Sequence, residues 1–361
     1  MLDRSLLRER RDVAKRPGRP RLQLEVNPEG AIIASAGIGA DGHLEVSFVD
    51  LSANVRFHWS QALREIPSLA VLCERLVCLL EEAITASGLP RDSICRIKLG
   101  LPALIDYTRG VVLWMVSMPD APCAVGAYIE KRLGLAVTIE NDAADMARAE
   151  YWFGRARGTS NFLITQVDVG LSATRMVEGV PFRGANGLNI EFNHLKVDFS
   201  ETARPCFCGA KGCLVSYCSI WGISNALGLS DNFTDPPFGD RRIRFREMMV
   251  EAISGNPAFR KEFDVAGRTL GTTIGNYVNL SDPGQVFVLV KDQTFLDIIE
   301  PSFQAALDEV TLPAIKCRTR FELGLTDPQW RERGAAALAL EQFFLNDEQA
   351  FGNDFLHERV G

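Results

Sequence analysis

The sequence CFCGAKGC at residues 206–213 decides the fold of this chain, together with EFNH at residues 191–194. The first segment holds a Cys-x-Cys pair and a third cysteine five residues later, and His194 lies twelve residues before Cys206. Thiolate sulfur and imidazole nitrogen are the soft ligands that bind zinc in a tetrahedron. The spacing therefore predicts either a four-ligand zinc site or three free thiols in a surface loop.

Length and composition exclude several classes of protein. The chain has 361 residues, which is long enough for two domains of ordinary size, and its 47% hydrophobic and 24% charged residues are typical of globular proteins. No run of eighteen apolar residues is present, so we expect no membrane partner. The N-terminus lacks the pattern of a secretory signal, and nine cysteines form no regular framework. We therefore expect a cytoplasmic protein.

The charge is unevenly distributed along the chain. The net charge is −7, which argues against nucleic-acid binding by the whole chain. The first 21 residues nevertheless carry eight Lys or Arg and only three Asp or Glu. This basic arm on an acidic body indicates either a contact with nucleic acid or a solvated, disordered terminus.

The hydrophobic pattern repeats once along the chain. Residues 31–59 predict three antiparallel strands, residues 68–87 a helix with apolar residues at helical spacing, and residues 136–153 a strand followed by a helix. Strands, helices and strands follow again in residues 161–344. This duplicated order predicts an α/β fold of two actin-like or ribonuclease-H-like lobes with a cleft between them. Three further segments are predicted as a helix at 2–11 and strands at 191–197 and 314–323.

Several motifs together resemble one family over residues 18–344. The cysteine segment is similar to the CxCGxxGC motif of the ROK family (repressor, open reading frame, kinase), and residues 191–194 resemble its ExGH motif. ENDA at 140–143, YWFG at 151–154 and RGANG at 183–187 fit the same family, in order and at family spacing. The joint occurrence of these motifs is far more specific than any one of them.

The resemblance implies two sets of site residues. It implies a structural zinc ion held by His194, Cys206, Cys208 and Cys213, and sugar contacts from Asn141, Asp142, Glu191 and His194. In the kinases of the family, the aspartate that matches Asp142 is the general base for phosphoryl transfer. A structural alternative for residues 141–142 is a cap of the following helix, and the two readings are compatible.

The matching stretches depart from the kinases where those enzymes bind nucleotide. Residues 37–41 read GIGAD in place of Asp-x-Gly-Gly-Thr, so the leading aspartate is missing. Residues 168–173 keep one glycine of a glycine-rich phosphate turn, and Leu289 is followed by residues 290–292 with no glycine pair. Backbone N–H groups cannot approach phosphate closely where side chains intervene. ATP and Mg²⁺ are therefore not expected as cofactors, and the sequence favours a protein that is not an enzyme.

The sugar side departs less from the family pattern. Asn193 replaces the glycine of the ExGH motif, and Val215 replaces a glutamate that commonly touches sugar. An apolar side chain at position 215 removes one acceptor for a hydroxyl group. The identity of the sugar is therefore left open.

The N-terminal residues resemble the repressor branch of the family. GRPR at 18–21 and NPEG at 27–30 look like the end of the wing of a winged helix-turn-helix and its junction with the sugar lobe. Too few residues precede this junction for the other DNA-binding helices, so we expect the chain to begin partway through that domain. The predicted boundaries are a winged-helix remnant at 1–26, an N-terminal lobe at 27–142 completed by a helix at 330–346, a C-terminal lobe at 143–329 with its zinc loop at 191–213, and a tail at 347–361.

Three functions are compatible with these patterns. The first is a ROK-type transcriptional regulator that binds a sugar effector without catalysis, as a homodimer or tetramer, and that binds DNA only with a complete helix-turn-helix. The second is an ATP-dependent kinase for a hexose or amino sugar, with Asp142 as its general base. The third is a pseudo-kinase without ligand that serves only in dimerisation.

Overall fold

Two five-stranded sheets organise the molecule. The computed structural model describes residues 5–11, 22–39, 43–62, 68–116, 118, 120–229 and 238–344. The strands in these residues are β1 Leu7–Arg11, β2 Leu22–Val26, β3 Ile32–Ile38, β4 His43–Asp50, β5 Val55–Ala62, β6 Ile94–Leu101, β7 Leu104–Asp106, β8 Val111–Trp114, β9 Val137–Asn141, β10 Phe162–Val167, β11 Leu171–Val177, β12 Val180–Pro181, β13 Gln285–Val290 and β14 Arg320–Leu325.

Helices follow the strands in both halves of the chain. The helices are α1 Leu69–Ser87, α2 Val125–Leu133, α3 Asp142–Trp152, α4 Val215–Cys218, α5 Ile220–Ala226, α6 Phe238–Ile253, α7 Pro257–Ser281, α8 Gln293–Val310, α9 Pro313–Lys316 and α10 Trp330–Phe344. Short 3-10 turns lie at Pro28–Gly30, Arg91–Ser93 and Phe192–His194. In the described part of the chain, no helix is long and apolar enough to cross a membrane.

The two large sheets have the same topology. The strand order is β5-β4-β3-β6-β9 in the first sheet and β12-β11-β10-β13-β14 in the second. In each sheet the first three strands along the chain pair antiparallel, and the last two extend the sheet in parallel. The prediction of a duplicated α/β fold is confirmed by this repeated order. The carboxyl ends of the parallel strands β3, β6 and β9 consequently lie along one edge.

Burial explains why the central strands and the first helix form where they do. Six of the seven residues of β3 are buried, as expected for a strand covered on both faces, whereas most residues of β5 are exposed at the edge of the sheet. The apolar stripe of α1 packs into the core of the first lobe. Ser68 caps this helix through its side chain, and Gly88 ends it with a left-handed backbone conformation.

Close packing of two long helices builds the second lobe. Helix α8 lies so near α7 that a Cβ atom on Gly267 would come within 2.5 Å of the carbonyl oxygen of Ile299. A glycine is therefore needed at this crossing. The last helix, α10, packs elsewhere: Ala335, Ala339 and Phe343 join a core cluster that contains residues of β3 and β4. The C-terminal end of the described chain thus lies on the first lobe.

Three local predictions were wrong. Residues 2–11 were predicted as a helix, but residues 7–11 form β1 and pair with β2, where Glu25 accepts a hydrogen bond from Arg8 at 2.7 Å. Residues 191–197 contain a 3-10 turn rather than a strand, because the segment turns into the cysteine loop. The strand predicted at 314–323 is preceded by helix α9, so β14 begins only at Arg320.

Candidate functional site

Four side chains converge into a compact metal-binding cluster. The ligand atoms of His194, Cys206, Cys208 and Cys213 all lie within 4.8 Å of one another. The Sγ atoms of Cys208 and Cys213 are 3.7 Å apart, and Nδ1 of His194 is 3.6 Å from Sγ of Cys206. A tetrahedron with zinc–sulfur bonds of about 2.3 Å has edges of about 3.8 Å. The chemistry and the size of this donor set therefore fit a closed zinc site.

The loop that carries the cysteines is shaped by two glycines. Gly209 and Gly212 have φ angles of +87° and +75°, which favour glycine, and a Cβ atom on Gly212 would collide with the carbonyl oxygen of Asp198. The backbone N–H of Cys206 donates to the carbonyl of Ala210 at 2.8 Å, which closes the turn between the cysteines. The glycines of the motif thus hold the loop in the shape that brings the thiols together.

Protons compete with a metal ion for the ligand atoms of this cluster. Burial raises the pKa of the Cys206 thiol to about 12, so a proton must leave before a metal can bind. Lys196 donates a hydrogen bond to Sγ of Cys213 at 3.0 Å and supplies positive charge beside the thiolates. Burial also lowers the pKa of His194, and the Lys196 charge adds to this effect. A neutral imidazole is the form that binds metal.

Aromatic rings fix the orientation of His194. The rings of Trp114 and Phe207 meet the imidazole edge to face, with centroid distances of 5.9 and 5.4 Å. Because Nδ1 faces the thiols, the other ring nitrogen, Nε2, carries the proton when a metal is bound. Nε2 is buried and has no hydrogen-bond partner among the described residues. This N–H is therefore left without an acceptor in the described part of the chain.

Asn141 and Asp142 have different local positions: Asn141 caps helix α3, and Asp142 is the first residue of that helix. The Asn141 side chain accepts a hydrogen bond from the N–H of Ala143 and donates one to the carbonyl of Ala103, both at 2.9 Å. Both ends of its amide are therefore bonded to backbone, as the structural alternative predicts. Asp142 begins α3 and is half-buried. Burial raises the pKa of its carboxyl above the usual value, although nearby positive charges, Arg331 foremost, oppose this.

Glu191 lies close enough to Asp142 for the charge of Asp142 to affect its pKa. Burial raises the pKa of the Glu191 carboxyl to about 7, and the negative charge of Asp142 raises it further. Within the described residues, its carboxylate makes no hydrogen bond. Two carboxyl groups, one from each lobe, with one of them unbonded, suit a ligand that presents several hydroxyl groups.

The sequence motifs did not reveal the role of Glu140. This residue is buried and forms ion pairs with Arg148 at 2.8 Å and with Arg183 at 2.7 Å. Burial acts to raise the pKa of Glu140, but the two arginines outweigh it and hold the pKa below the usual value. Arg183 also lies over the ring of Tyr107, 3.7 Å from its centroid. Glu140 thus links the loop at residues 183–187 to the end of β9. In the sequence, this link was indicated only by opposite charges in two motifs, ENDA at 140–143 and RGANG at 183–187.

Comparisons with known proteins identify the family. The sequence profile of the ROK family matches residues 67–307. The chain belongs to the ROK family.

ROK relatives include both repressors and kinases. A putative xylose repressor from Caldicellulosiruptor sp. (strain Rt8B.4) is 27% identical over 281 residues, which cover 75% of this chain and 68% of the relative. A solved ROK family transcriptional regulator, homologous to the Mlc protein of E. coli, is 25% identical with a TM-score of 0.76 and covers 93% of this chain and 85% of its own. A ROK family glucokinase from Streptomyces griseus, solved with glucose and AMPPNP, has the same fold at 22% identity, with a TM-score of 0.67 and coverage of 85% and 99%.

Side chains of the protein itself fill the turn at residues 168–173, which keeps one glycine of the phosphate turn. Lys291, directly after β13, forms an ion pair with Asp168 at 2.9 Å. Val169 and Leu171 are buried, and the backbone of α5 donates hydrogen bonds to the carbonyls of Asp168 and Val169. Carbonyl oxygens and apolar side chains thus occupy this turn. Val215, where the family commonly has a glutamate, is fully buried in the apolar core of the second lobe.

Proposed function

We propose that this protein is a ROK-type transcriptional regulator that binds a sugar without catalysis. The observation that carries the proposal is the ion pair between Asp168 and Lys291, which joins the two segments that would have to receive phosphates. Phosphoryl transfer depends on placed donors and metal ions around the transferred group. In this chain the charged groups at that position neutralise each other instead.

The ligand-binding half supports a sugar as effector. Asp142 and Glu191 would accept hydrogen bonds from sugar hydroxyls, Nε2 of His194 would donate one, and Asn141 would position the strand end through its backbone contacts. Of the four residues proposed for sugar binding, Asn141 therefore acts indirectly. A relative named as a putative xylose repressor makes a monosaccharide a reasonable first probe.

Zinc has a structural role in this proposal. His194, Cys206, Cys208 and Cys213 would fill all four positions of a tetrahedral site, which leaves none for water or substrate. Bound zinc would supply cross-linking of the loop rather than Lewis-acid chemistry. Since His194 belongs both to this cluster and to the sugar site, the loop fixes one of the sugar contacts.

Regulation would follow from lobe closure. A sugar held between Asp142 of the first lobe and Glu191 of the second favours the arrangement in which both contacts form. We propose that residues 1–26 belong to the wing of a DNA-binding domain, that 27–142 with α10 and 143–329 are the two lobes, and that a homodimer or tetramer transmits closure to DNA. DNA recognition would require a complete helix-turn-helix.

A melting experiment on the zinc-loaded protein tests this function. D-xylose, D-glucose and N-acetyl-D-glucosamine are added separately, and at least one is expected to raise the melting temperature, whereas Glu191→Gln is expected to lose that rise. The matched control is Glu309→Gln, since the Glu309 side chain is exposed on helix α8. If no sugar in a broader monosaccharide panel raises the melting temperature despite full zinc occupancy, the sugar-binding function is wrong, and a role in dimerisation alone is favoured.

A sugar kinase is the second candidate, because Asp142 lies in the cleft with a raised pKa, as a general base requires. An ATP-dependent phosphorylation assay over hexoses and amino sugars separates the two functions. The regulator is expected to show no turnover. Turnover that Asp142→Asn abolishes would establish the kinase and contradict the regulator.

A further inference from the structure

A charged cluster lies at the carboxyl ends of β3 and β6, outside the sugar contacts. Arg331, in the first turn of α10, is only 8% exposed, and its Nη2 donates to the carbonyl oxygen of Ile38 at 2.8 Å. Lys98 on β6 and Asp145 on α3 are fully buried and form an ion pair. The carboxylate of Glu45 is 4.0 Å from Nε of Arg331. None of these groups has a role in binding the sugar or the zinc.

Glycines create the space that this cluster fills. Gly37 and Gly100 are partners in the parallel pairing of β3 with β6. A Cβ atom on Gly100 would lie 2.8 Å from Oδ2 of Asp145 and 3.3 Å from Nη1 of Arg331, and one on Gly37 would collide with Nη1 of Arg331. The guanidinium therefore occupies the volume that any side chain at position 37 would need.

The position of the cluster is one where α/β proteins bind ligands. Ligands of such folds bind outside the carboxyl ends of parallel strands, and here that place is taken by a side chain of α10. A cation at the N-terminal end of a helix is unfavourable, because the helix dipole is positive there. The carbonyl of Ile38 and the negative charges of Glu45 and Asp142 offset this cost. A fixed positive charge also repels a divalent cation from the same place.

We propose that the guanidinium of Arg331 is the resident occupant of the nucleotide half of the cleft and that it excludes divalent cations, and the triphosphates they accompany, from this site. The inference rests on the proposed non-catalytic function and adds a cause to it. The guanidinium of Arg331 on α10 fills the volume that a side chain at position 37 would occupy. Ligand binding by this protein would consequently be independent of Mg²⁺ and nucleotide.

A double-mutant cycle on the full chain tests the occupancy. Gly37→Ala is expected to lower the melting temperature by about 5 °C in the wild-type background, and by at most about half as much in the Arg331→Ala background. A residual effect is expected in both backgrounds, because a Cβ atom at position 37 would also lie 2.6 Å from the carbonyl oxygen of Gly100. Arg331→Lys removes Nη1 but keeps the charge, and it replaces Arg331→Ala if that variant does not fold.

The control for the cycle is Gly184→Ala. Gly184 is exposed, and a Cβ atom there would have its nearest neighbour at 3.9 Å, so its effect is expected to be small and equal in both backgrounds. A loss from Gly37→Ala that is equally large with and without Arg331 would overturn the inference. That result would leave the sugar-binding and zinc proposals standing, since neither involves position 37.

Binding of Mn²⁺, as a paramagnetic substitute for Mg²⁺, tests the exclusion. Electron paramagnetic resonance measures the free Mn²⁺ that remains with zinc-loaded wild-type protein and with Arg331→Ala. The variant is expected to remove more Mn²⁺ from solution, because the carboxylates of Asp142 and Asp145 lose a nearby cation. Equal depletion by both proteins would overturn the exclusion.

Discussion

The two halves of the cleft differ in how their charged groups are satisfied. In the ligand half, the Glu191 carboxylate and Nε2 of His194 have no hydrogen-bond partner among the described residues. In the nucleotide half, Asp168 pairs with Lys291, and Arg331 donates to Ile38. The Glu191 carboxylate and Nε2 of His194 are thus left without a protein partner, whereas Asp168 and Arg331 each have at least one, although Oδ1 of Asp168 and Nη1 of Arg331 make no hydrogen bond among the described residues. The difference illustrates that a shared fold does not by itself fix chemistry, which depends on the groups placed in the site.

The largest loss of stability is expected when a ligand of the metal cluster, on the sugar side of the comparison, is removed. Cys208→Ala should reduce bound zinc from about one ion per chain to well below half, and should lower the free energy of unfolding by about 5 kcal/mol, because zinc binding contributes directly to folding. Elemental analysis and urea unfolding measure the two quantities. Cys317→Ala is the control, since Cys317 is exposed and outside the cluster. If protein purified without chelators contained no zinc, the proposed zinc site would be wrong.

A somewhat smaller loss is expected in the nucleotide half from Asp145→Asn. Burial holds the pKa of Lys98 well below its usual value, so without Asp145 this lysine is left as an unpaired buried amine, and removal of one member of a buried pair costs about 3–5 kcal/mol in the free energy of unfolding. Arg268→Met is the control: the Arg268–Glu309 pair is exposed at both ends and should contribute less than about 1 kcal/mol. Urea unfolding separates these values. If Asp145→Asn were as mild as the control, the charged groups of this half would not be mutually dependent.

The smallest effect concerns pH and the ligand half. The pKa of Glu191 is raised from 4.5 in the unfolded chain to about 7 in the folded protein. Between these values the folded state binds more protons than the unfolded state, so the contribution of this group to stability decreases as pH rises. Above pH 7 the penalty is complete, on the order of 1–2 kcal/mol after allowance for partial exposure. Glu191→Gln should remove this slope and be more stable than the wild type at pH 8.

The pH dependence of the stability of Glu191→Gln can also contradict this prediction. Stability of wild type and Glu191→Gln is measured by urea unfolding at several pH values between 4.5 and 8. Parallel curves would mean that Glu191 titrates near its ordinary pKa, and hence that its carboxylate is not held in a desolvated cleft beside Asp142. Glu309→Gln, at an exposed position, should leave the slope of the wild type unchanged.

The sequence predicted the metal ligands and the two sheets, but it did not predict the networks of buried charges. The spacing of three cysteines and a histidine placed four potential ligands together, because metal motifs depend on short loops whose glycines are visible in sequence. Repeated hydrophobic patterns likewise predicted the two sheets, since each core strand is a short apolar run. These features depend on neighbours in sequence.

Features that join distant residues were missed. Lys98, Asp145 and Arg331 come from three separate elements, and nothing in their local sequence distinguishes a buried charge from a solvated one. The strand predicted at residues 191–197 failed for a related reason: the segment forms a 3-10 turn at Phe192–His194 and hydrogen-bonds to the cysteine loop. Tertiary contacts override local pattern at such positions.

Calorimetric titration of the zinc-loaded wild type with a non-hydrolysable ATP analogue and Mg²⁺ tests the contrast between the two halves most directly. We expect no detectable binding, with or without a saturating sugar, because Lys291 is paired with Asp168 and Arg331 is held by the carbonyl of Ile38. Saturable binding with a dissociation constant of about 100 μM or lower would contradict it.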